Sequence, residues 1–280
     1  MNRTNISRYA VGLLLLQWVN SPALAQQLVE SETTYVVAGA NRSATPMASW
    51  RKRAALQSAV GVEAVRKAPR QAVRYDVKTV SWPSATVKVL TFRKADGGVL
   101  HALKEEKLIY VLQGSLQTTV GDQAVTLAPG DVASLPSGML ANPGAPTDTV
   151  VLAWTVASLT PGATPTVVRG AATARQNSGQ LSIQRYEFSG NSVRSVGLAK
   201  GLKTNPNSAK TDSLIYVTRG PMRFTQNGQE FTVTAGDFIR EVAGLMHNWD
   251  VTEDSAFVTT SALPVGSGPI DPSKATDRPN

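Results

Sequence analysis

The chain has 280 residues, 42% of them hydrophobic and 17% charged, with no cysteine and a net charge of +8. That composition supports a packed core rather than global disorder, and the length accommodates two ordinary domains. The lack of cysteine excludes disulfides, thiol nucleophiles and cysteine-ligated metals. A modest positive charge, with no basic stripe interleaved with aromatics, argues against nucleic acid as a partner.

Residues 1–25 read as a secretory signal peptide. Arg3 and Arg8 form a positive start, Tyr9 to Val19 is an apolar stretch too short to span a bilayer comfortably, and Ala23-Leu24-Ala25 is a small-residue cleavage site. The alternative is an uncleaved anchor. The expectation is a periplasmic or secreted protein with no membrane span after cleavage.

Residues 26–72 form an N-terminal arm. Thr33 to Val37 suits a short strand, Ser43 to Met47 a turn, and Ala48 to Lys67 a partial helix carrying the basic cluster Arg51-Lys52-Arg53. From Val73 the pattern changes to short runs rich in Val, Leu, Thr and aromatics, separated by turn signals. Thr86–Phe92, Leu108–Leu112, Ser115–Val120 and Thr149–Val156 are the clearest strands. The reading is a first domain over 73–160, a Pro- and Gly-rich linker over 161–178, a second domain over 179–265 and a flexible tail over 266–280.

A repeat organises these domains. Leu108 to Gly138 reads LIYVLQGSLQTTVGDQAVTLAPGDVASLPSG, and Leu214 to Gly244 reads LIYVTRGPMRFTQNGQEFTVTAGDFIREVAG. The two align without a gap at an offset of 106, which marks two copies of one domain. Gly121-Asp122 and Asn227-Gly228 fall at the same hairpin tip, and the Gly-Asp pairs at 130 and 236 mark the next corner. Many short strands at regular spacing, with no long helix between them, predict an all-β fold of two tandem jelly-roll barrels, preceded by the partly helical arm.

The LIYVLQG and APGDVASLPSG stretches resemble the cupin superfamily, and two copies resemble a bicupin. The resemblance covers roughly Val73–Ala157 and Leu181–Ala262 and implies a double-stranded β-helix (jelly-roll) barrel in each. Typical members hold a divalent metal inside the barrel with three histidines and a glutamate. Carried onto this chain, those positions are His101, Leu103, Lys107 and Ala141 in copy one, and Asn207, Ala209, Ser213 and His247 in copy two. Each copy keeps one ligand of four, and the two histidines occupy different ligand positions. No cofactor is therefore expected. A divalent metal would need substitutes, from His101 with Glu105 or Glu106, or from His247 with Asp212.

Without a metal, the interior of each barrel is the candidate site. Lys107 alternates with Ile109 and Val111 and so faces inward, as an anion-pairing ammonium, a base or an imine-forming amine; it could instead reach the mouth and pair with Glu105 or Glu106. His101 stands near it. In copy two, His247 is the candidate acid–base residue, with Asn207, Ser213 and Trp249 as ligand contacts. Asp250 faces away from His247 by alternation, so an orienting carboxylate has to come from another strand. Trp249 shares the face of His247 and either stacks on a ligand or fills the barrel. Trp82 and Trp154 read as core. Two functions remain open: an exported binding protein for a small polar or sugar-acid-like ligand, or a metal-independent, or weakly metal-dependent, isomerase, epimerase or lyase using His247, Lys107 or His101. Either is compatible with a monomer or a homodimer.

Overall fold

The computed structural model describes residues 34–39, 45–46, 76–82, 85–96, 101–103, 105–120, 123–137, 140–141, 143–155, 164–188 and 191–262. The signal peptide, the helix expected over Ala48–Lys67 and the tail lie outside these residues. The described residues contain no α-helix; a 3-10 turn spans Gly170–Ala172.

Two strands come from the arm, β1 (Val36–Val37) and β2 (Thr45–Pro46). Copy one then runs β3 (Asp76–Trp82), β4 (Ala85–Phe92), β5 (His101–Ala102), β6 (Lys107–Gln113) and β7 (Leu116–Val120). It closes with β8 (Gln123–Leu127), β9 (Val132–Leu135), β10 (Leu140–Ala141) and β11 (Thr149–Thr155). The linker adds β12 (Thr166–Val168) and β13 (Arg175–Ser178). Copy two repeats the set with β14 (Leu181–Phe188), β15 (Asn191–Leu198), β16 (Asn207–Ser208), β17 (Asp212–Arg219) and β18 (Met222–Gln226). It ends with β19 (Gln229–Val233), β20 (Phe238–Glu241), β21 (Met246–Asp250) and β22 (Ser255–Ala262). The offset of 106 superimposes β3–β11 on β14–β22.

Each copy is a jelly roll of one seven-stranded sheet facing a smaller layer. The large sheets run β12-β9-β6-β11-β4-β3-β2 and β1-β20-β17-β22-β15-β14-β13, and the second copy's small sheet runs β16-β21-β18-β19. Among the described residues the pairing does not run continuously around either copy; the two opposed layers of each are the jelly-roll arrangement expected from the sequence. All neighbours pair antiparallel, so each strand presents alternate residues to its two faces.

That alternation sorts the core into three clusters. Phe92, Val111, Leu116, Leu127, Leu135 and Val151 fill copy one. Ile215, Val217, Met222, Phe224, Ile239, Trp249 and Phe257 fill copy two. Between the copies, the outward faces of the large sheets pack Trp82, Leu108, Tyr110, Leu152 and Trp154 against Tyr186, Val193, Leu214, Phe238 and Val258. Trp82 and Trp154 are buried here, in the core between copies rather than inside one of them. On β17, Leu214 and Tyr216 join the inter-copy layer while Ile215 and Val217 join the interior.

The strand expected within Thr33–Val37 forms as β1, the expected turn at Ser43–Met47 contains β2, the expected linker contains β12 and β13, and β1 and β12 cross over. The arm strand β1 pairs with β20 of copy two (Val36↔Ile239), and the linker strand β12 pairs with β9 of copy one (Val168↔Val132). The next strand in each segment, β2 or β13, caps the copy that follows it in the chain. Each crossing is clasped by the Asp of a repeated Gly-Asp corner. Asp237 Oδ1 accepts the Gly39 N–H at 2.7 Å, and Asp131 Oδ1 accepts the Gly170 N–H at 2.8 Å. Side chains are excluded at both crossings: a Cβ on Gly39 would lie 2.0 Å from Gly236 O, and one on Gly170 would lie 2.5 Å from Gly130 O. The hairpin tip of copy two has the expected geometry, with Asn227 and Gly228 both at positive φ (51° and 77°).

Candidate functional site

Backbone pairing places the two histidine positions side by side. In copy one His101 pairs with Ala141, and in copy two Asn207 pairs with His247. Each copy thus keeps a histidine on one member of the same cross-strand pair, on opposite partners. The side chain of His101 lies outside the described residues; that of His247 is buried.

His247 meets a carboxylate that stands outside the family's ligand positions. Its Nε2 lies 3.4 Å from Oε1 of Glu241, at the outer edge of hydrogen-bond distance, and both side chains are largely buried. Glu241 is the last residue of β20, opposite Ser213 on β17. The Ser213 hydroxyl and the Trp249 indole N–H donate to its carboxylate. Burial raises the Glu241 pKa above the ordinary carboxylate value; His247, the two hydrogen bonds and Arg194 pull against that rise without cancelling it.

Gln226, fully buried beside His247, holds the backbone on either side of Glu241. Its amide donates to the Arg240 carbonyl (3.1 Å), and its carbonyl accepts the Val242 N–H (2.8 Å). Glu241 and Gln226 were both legible as inward positions, Glu241 five residues beyond Gly236 and Gln226 just before the Asn-Gly tip. Neither stands at a position that the family's ligand set marks.

With Nε2 turned to Glu241, the other imidazole nitrogen of His247, Nδ1, is buried with no hydrogen-bond partner. So is the Thr259 hydroxyl. Thr259 sits on β22 next to Arg194, on the interior face shared with Phe257. One end of copy two therefore gathers Ser213, Glu241, His247, Arg194 and Thr259. Apolar packing closes the other side: Trp249 stacks on Phe257 (5.2 Å, 20°) and lies 4.7 Å from Phe224. Trp249 shares the face of His247, and most of its ring fills the interior. Asp250 points away and pairs with Arg223 and Lys203. Asn207 is exposed.

Lys107 lies on the interior side of β6 with Ile109 and Val111, but its ammonium is engaged. It contacts Glu105 at 3.2 Å and donates to the Thr155 hydroxyl. Glu105 is mostly exposed. Glu106, just before β6, and Asp212, its repeat equivalent at the start of β17, are both buried, and alternation sets Asp212 on the face opposite Ser213. Asp212 pairs with Arg240 at 2.7 Å and accepts the Ala243 N–H at 2.9 Å.

The usual four-ligand metal set does not fit these residues. Lys107 puts an ammonium where the carboxylate ligand belongs, and the Glu241–His247 pair offers one carboxylate and one imidazole. Among the described residues no group of three or more His, Asp or Glu converges. Two surface hollows of about 630 and 550 Å³ lie on copy one, around Gly114–Ser115 and around Val125–Val167, and neither contains a candidate residue.

No protein-family model and no curated protein matches the chain. Solved structures do match. A Bacillus subtilis oxalate decarboxylase, solved as a single-residue mutant, superposes with a TM-score of 0.64 at 12% identity over 82% of this chain and 78% of its own. AerE from Microcystis aeruginosa gives 0.60 at 10% identity, over 79% and 98%. A putative glyoxylate-induced protein from Pseudomonas aeruginosa gives 0.58 at 14% identity, over 68% and 80%. The chain has the cupin fold, in two copies. At such identities the likeness carries the fold and not the chemistry. Within that cupin fold, the acidic residue beside His247 in copy two is Glu241, on β20, while the usual glutamate position on β17 is Ser213.

Proposed function

We propose that the chain is an exported protein that binds a small polar or anionic ligand, of the sugar-acid kind, in a jelly-roll interior without a tightly held metal. One observation carries the reading. The interior end of copy two holds two buried polar atoms, His247 Nδ1 and Thr259 Oγ, with no protein partner, beside Arg194 and the Ser213–Glu241 pair. An unsatisfied buried polar atom costs about 1–3 kcal/mol, and a ligand's hydroxyl or carboxylate groups would remove that cost. The fold is shared with an oxalate decarboxylase, whose named substrate is a small dicarboxylic acid. Export rests on the signal-peptide pattern of residues 1–25.

Calorimetric titration with a panel of sugar acids tests the reading. Saturable binding that is lost in His247→Ala, with Asn207→Ala and Ser213→Ala weakening it, is the expected result. Binding with no component that His247→Ala removes and Lys88→Met leaves intact overturns it. Elemental analysis before and after chelation is expected to give less than one equivalent of iron, manganese, nickel or zinc; a full equivalent would defeat the metal-free reading.

A second reading has its own observation. Glu241 faces His247 across 3.4 Å, the carboxylate–imidazole arrangement that orients a general base. In that reading His247 removes a proton next to a ligand carbonyl through Nδ1, as an isomerase, epimerase or lyase requires. Exchange of a ligand C–H with deuterated solvent, abolished in His247→Ala, would favour it over simple binding.

A further inference from the structure

The two copies carry different charges at one corresponding place. In copy one, Val80, Val87, Leu108 and Trp154 point into the inter-copy core. Alternation puts Thr79, Lys88, Lys107 and Thr155 on the interior side of the same sheet. Lys88 pairs across to Thr79 and to Ala153, and Lys107 pairs across to Thr155, so the two lysines flank β11 two residues apart. In copy two the same positions hold Arg185, Arg194, Ser213 and Ser261, with Glu187 and Glu241 nearby.

Copy two is balanced: two guanidinium groups face two carboxylates, and both carboxylates act on Arg194. Copy one is not. Ser81 stands at the Glu187 position and Leu135 at the Glu241 position, while two cations are still present: Lys88 at the Arg194 position, and Lys107 where copy two has Ser213. The one nearby acid, Glu105, is mostly exposed and paired with Lys107. Lys88 is half-buried and has no ion-pair partner of its own among the described residues. Burial, and after it the neighbouring Lys107, lower its hold on a proton. A cation drawn this far out of water is stabilised by an anion, and hydroxyls at Thr79 and Thr155 suit a hydroxylated one.

We propose that the Lys88–Lys107 end of copy one is a binding site for a small oxyanion, a carboxylate or phosphate, separate from the His247–Glu241 end of copy two. It goes beyond the copy-two reading and stands on different residues.

Calorimetric titration of the purified chain with sodium gluconate and with sodium phosphate, against sodium chloride at matched ionic strength, tests the site and separates the two anion classes. The expected result is saturable binding of one of them, weakened roughly tenfold or more by Lys88→Met or Lys107→Met. Lys88→Arg, exposed Lys200→Met and His247→Ala should retain it. Absence of binding, or equal binding by Lys88→Met, overturns the site. Binding lost only in His247→Ala also overturns it, and at the same time supports the copy-two reading. A measurement on the unsubstituted chain guards against misfolded variants. The bound anion should shield Lys88 from acetylation, as mapped by mass spectrometry, and equal labelling with and without anion overturns the proposal.

Discussion

Glu241 is the residue whose chemistry the surroundings alter most clearly. Its carboxyl is buried and its pKa raised, so the folded chain holds this proton more tightly than the unfolded chain does. The stabilisation from the bound proton is full below the unfolded value of about 4.5 and is lost as pH rises through the folded pKa. Glu241→Gln, which cannot ionise, should therefore gain stability relative to the parent as pH rises from 4 to 8. Urea midpoints across that range check it; a constant difference would mean that Glu241 does not titrate in the window. A second buried carboxylate, Asp212, forms an ion pair with Arg240 inside the protein. Asp212→Ala should cost about 3–5 kcal/mol by leaving Arg240 buried without its carboxylate, whereas an apolar replacement of both residues should cost far less. Chemical denaturation of the single and double variants distinguishes these outcomes. Trp249→Ala removes a ring stacked among Phe224 and Phe257 and should cost about 3–5 kcal/mol by the same measurement.

Among the elements, the crossing strands bear the sharpest prediction. Asp237 accepts the Gly39 N–H and the Thr234 N–H, tying the arm to the corner between β19 and β20. Asp237→Ala should lower stability by about 2–3 kcal/mol and speed amide exchange in β1 ahead of the rest of the sheet. Uniform exchange would show that the clasp is not what holds β1. The repeat and the period-two pattern made β4, β6, β7 and β11 legible in the sequence nearly to the residue, since those signals are local. The crossings were not legible, because Val36-Val37 and Val167-Val168 reveal nothing about which sheet edge they meet. The same distinction explains the site. His247, Ser213 and Trp249 could be placed on the interior face by motif and alternation. Pairing Glu241 with His247 required knowing that the ends of β20 and β21 converge, a fact of tertiary structure. The arm strand at Thr45–Pro46 was read as a turn because proline disfavours strand interiors; at the edge of a sheet it is tolerated.

For the molecule as a whole, the inter-copy core joins the two jelly rolls through rings that neither buries alone, including Tyr110 against Tyr186 at 6.0 Å. A fragment ending at residue 160 would lack β12 and expose the β9 edge together with that apolar face. It should aggregate or remain unfolded by circular dichroism, and residues 161–280 made alone should do the same, since copy two would in turn lack β1. Recovery of two soluble, independently folded halves would refute this dependence.

The crossed strands also give the chain a direction in time. As the polypeptide emerges from the ribosome, β1 is made first and waits for β20, some two hundred residues behind it. Copy one, though its nine core strands come first, keeps an open edge until Val168 appears. Neither half can finish before the other has begun. The duplication that produced the repeat is for the same reason hard to reverse: cutting out either copy, with the segment that leads into it, strips an edge strand from the survivor.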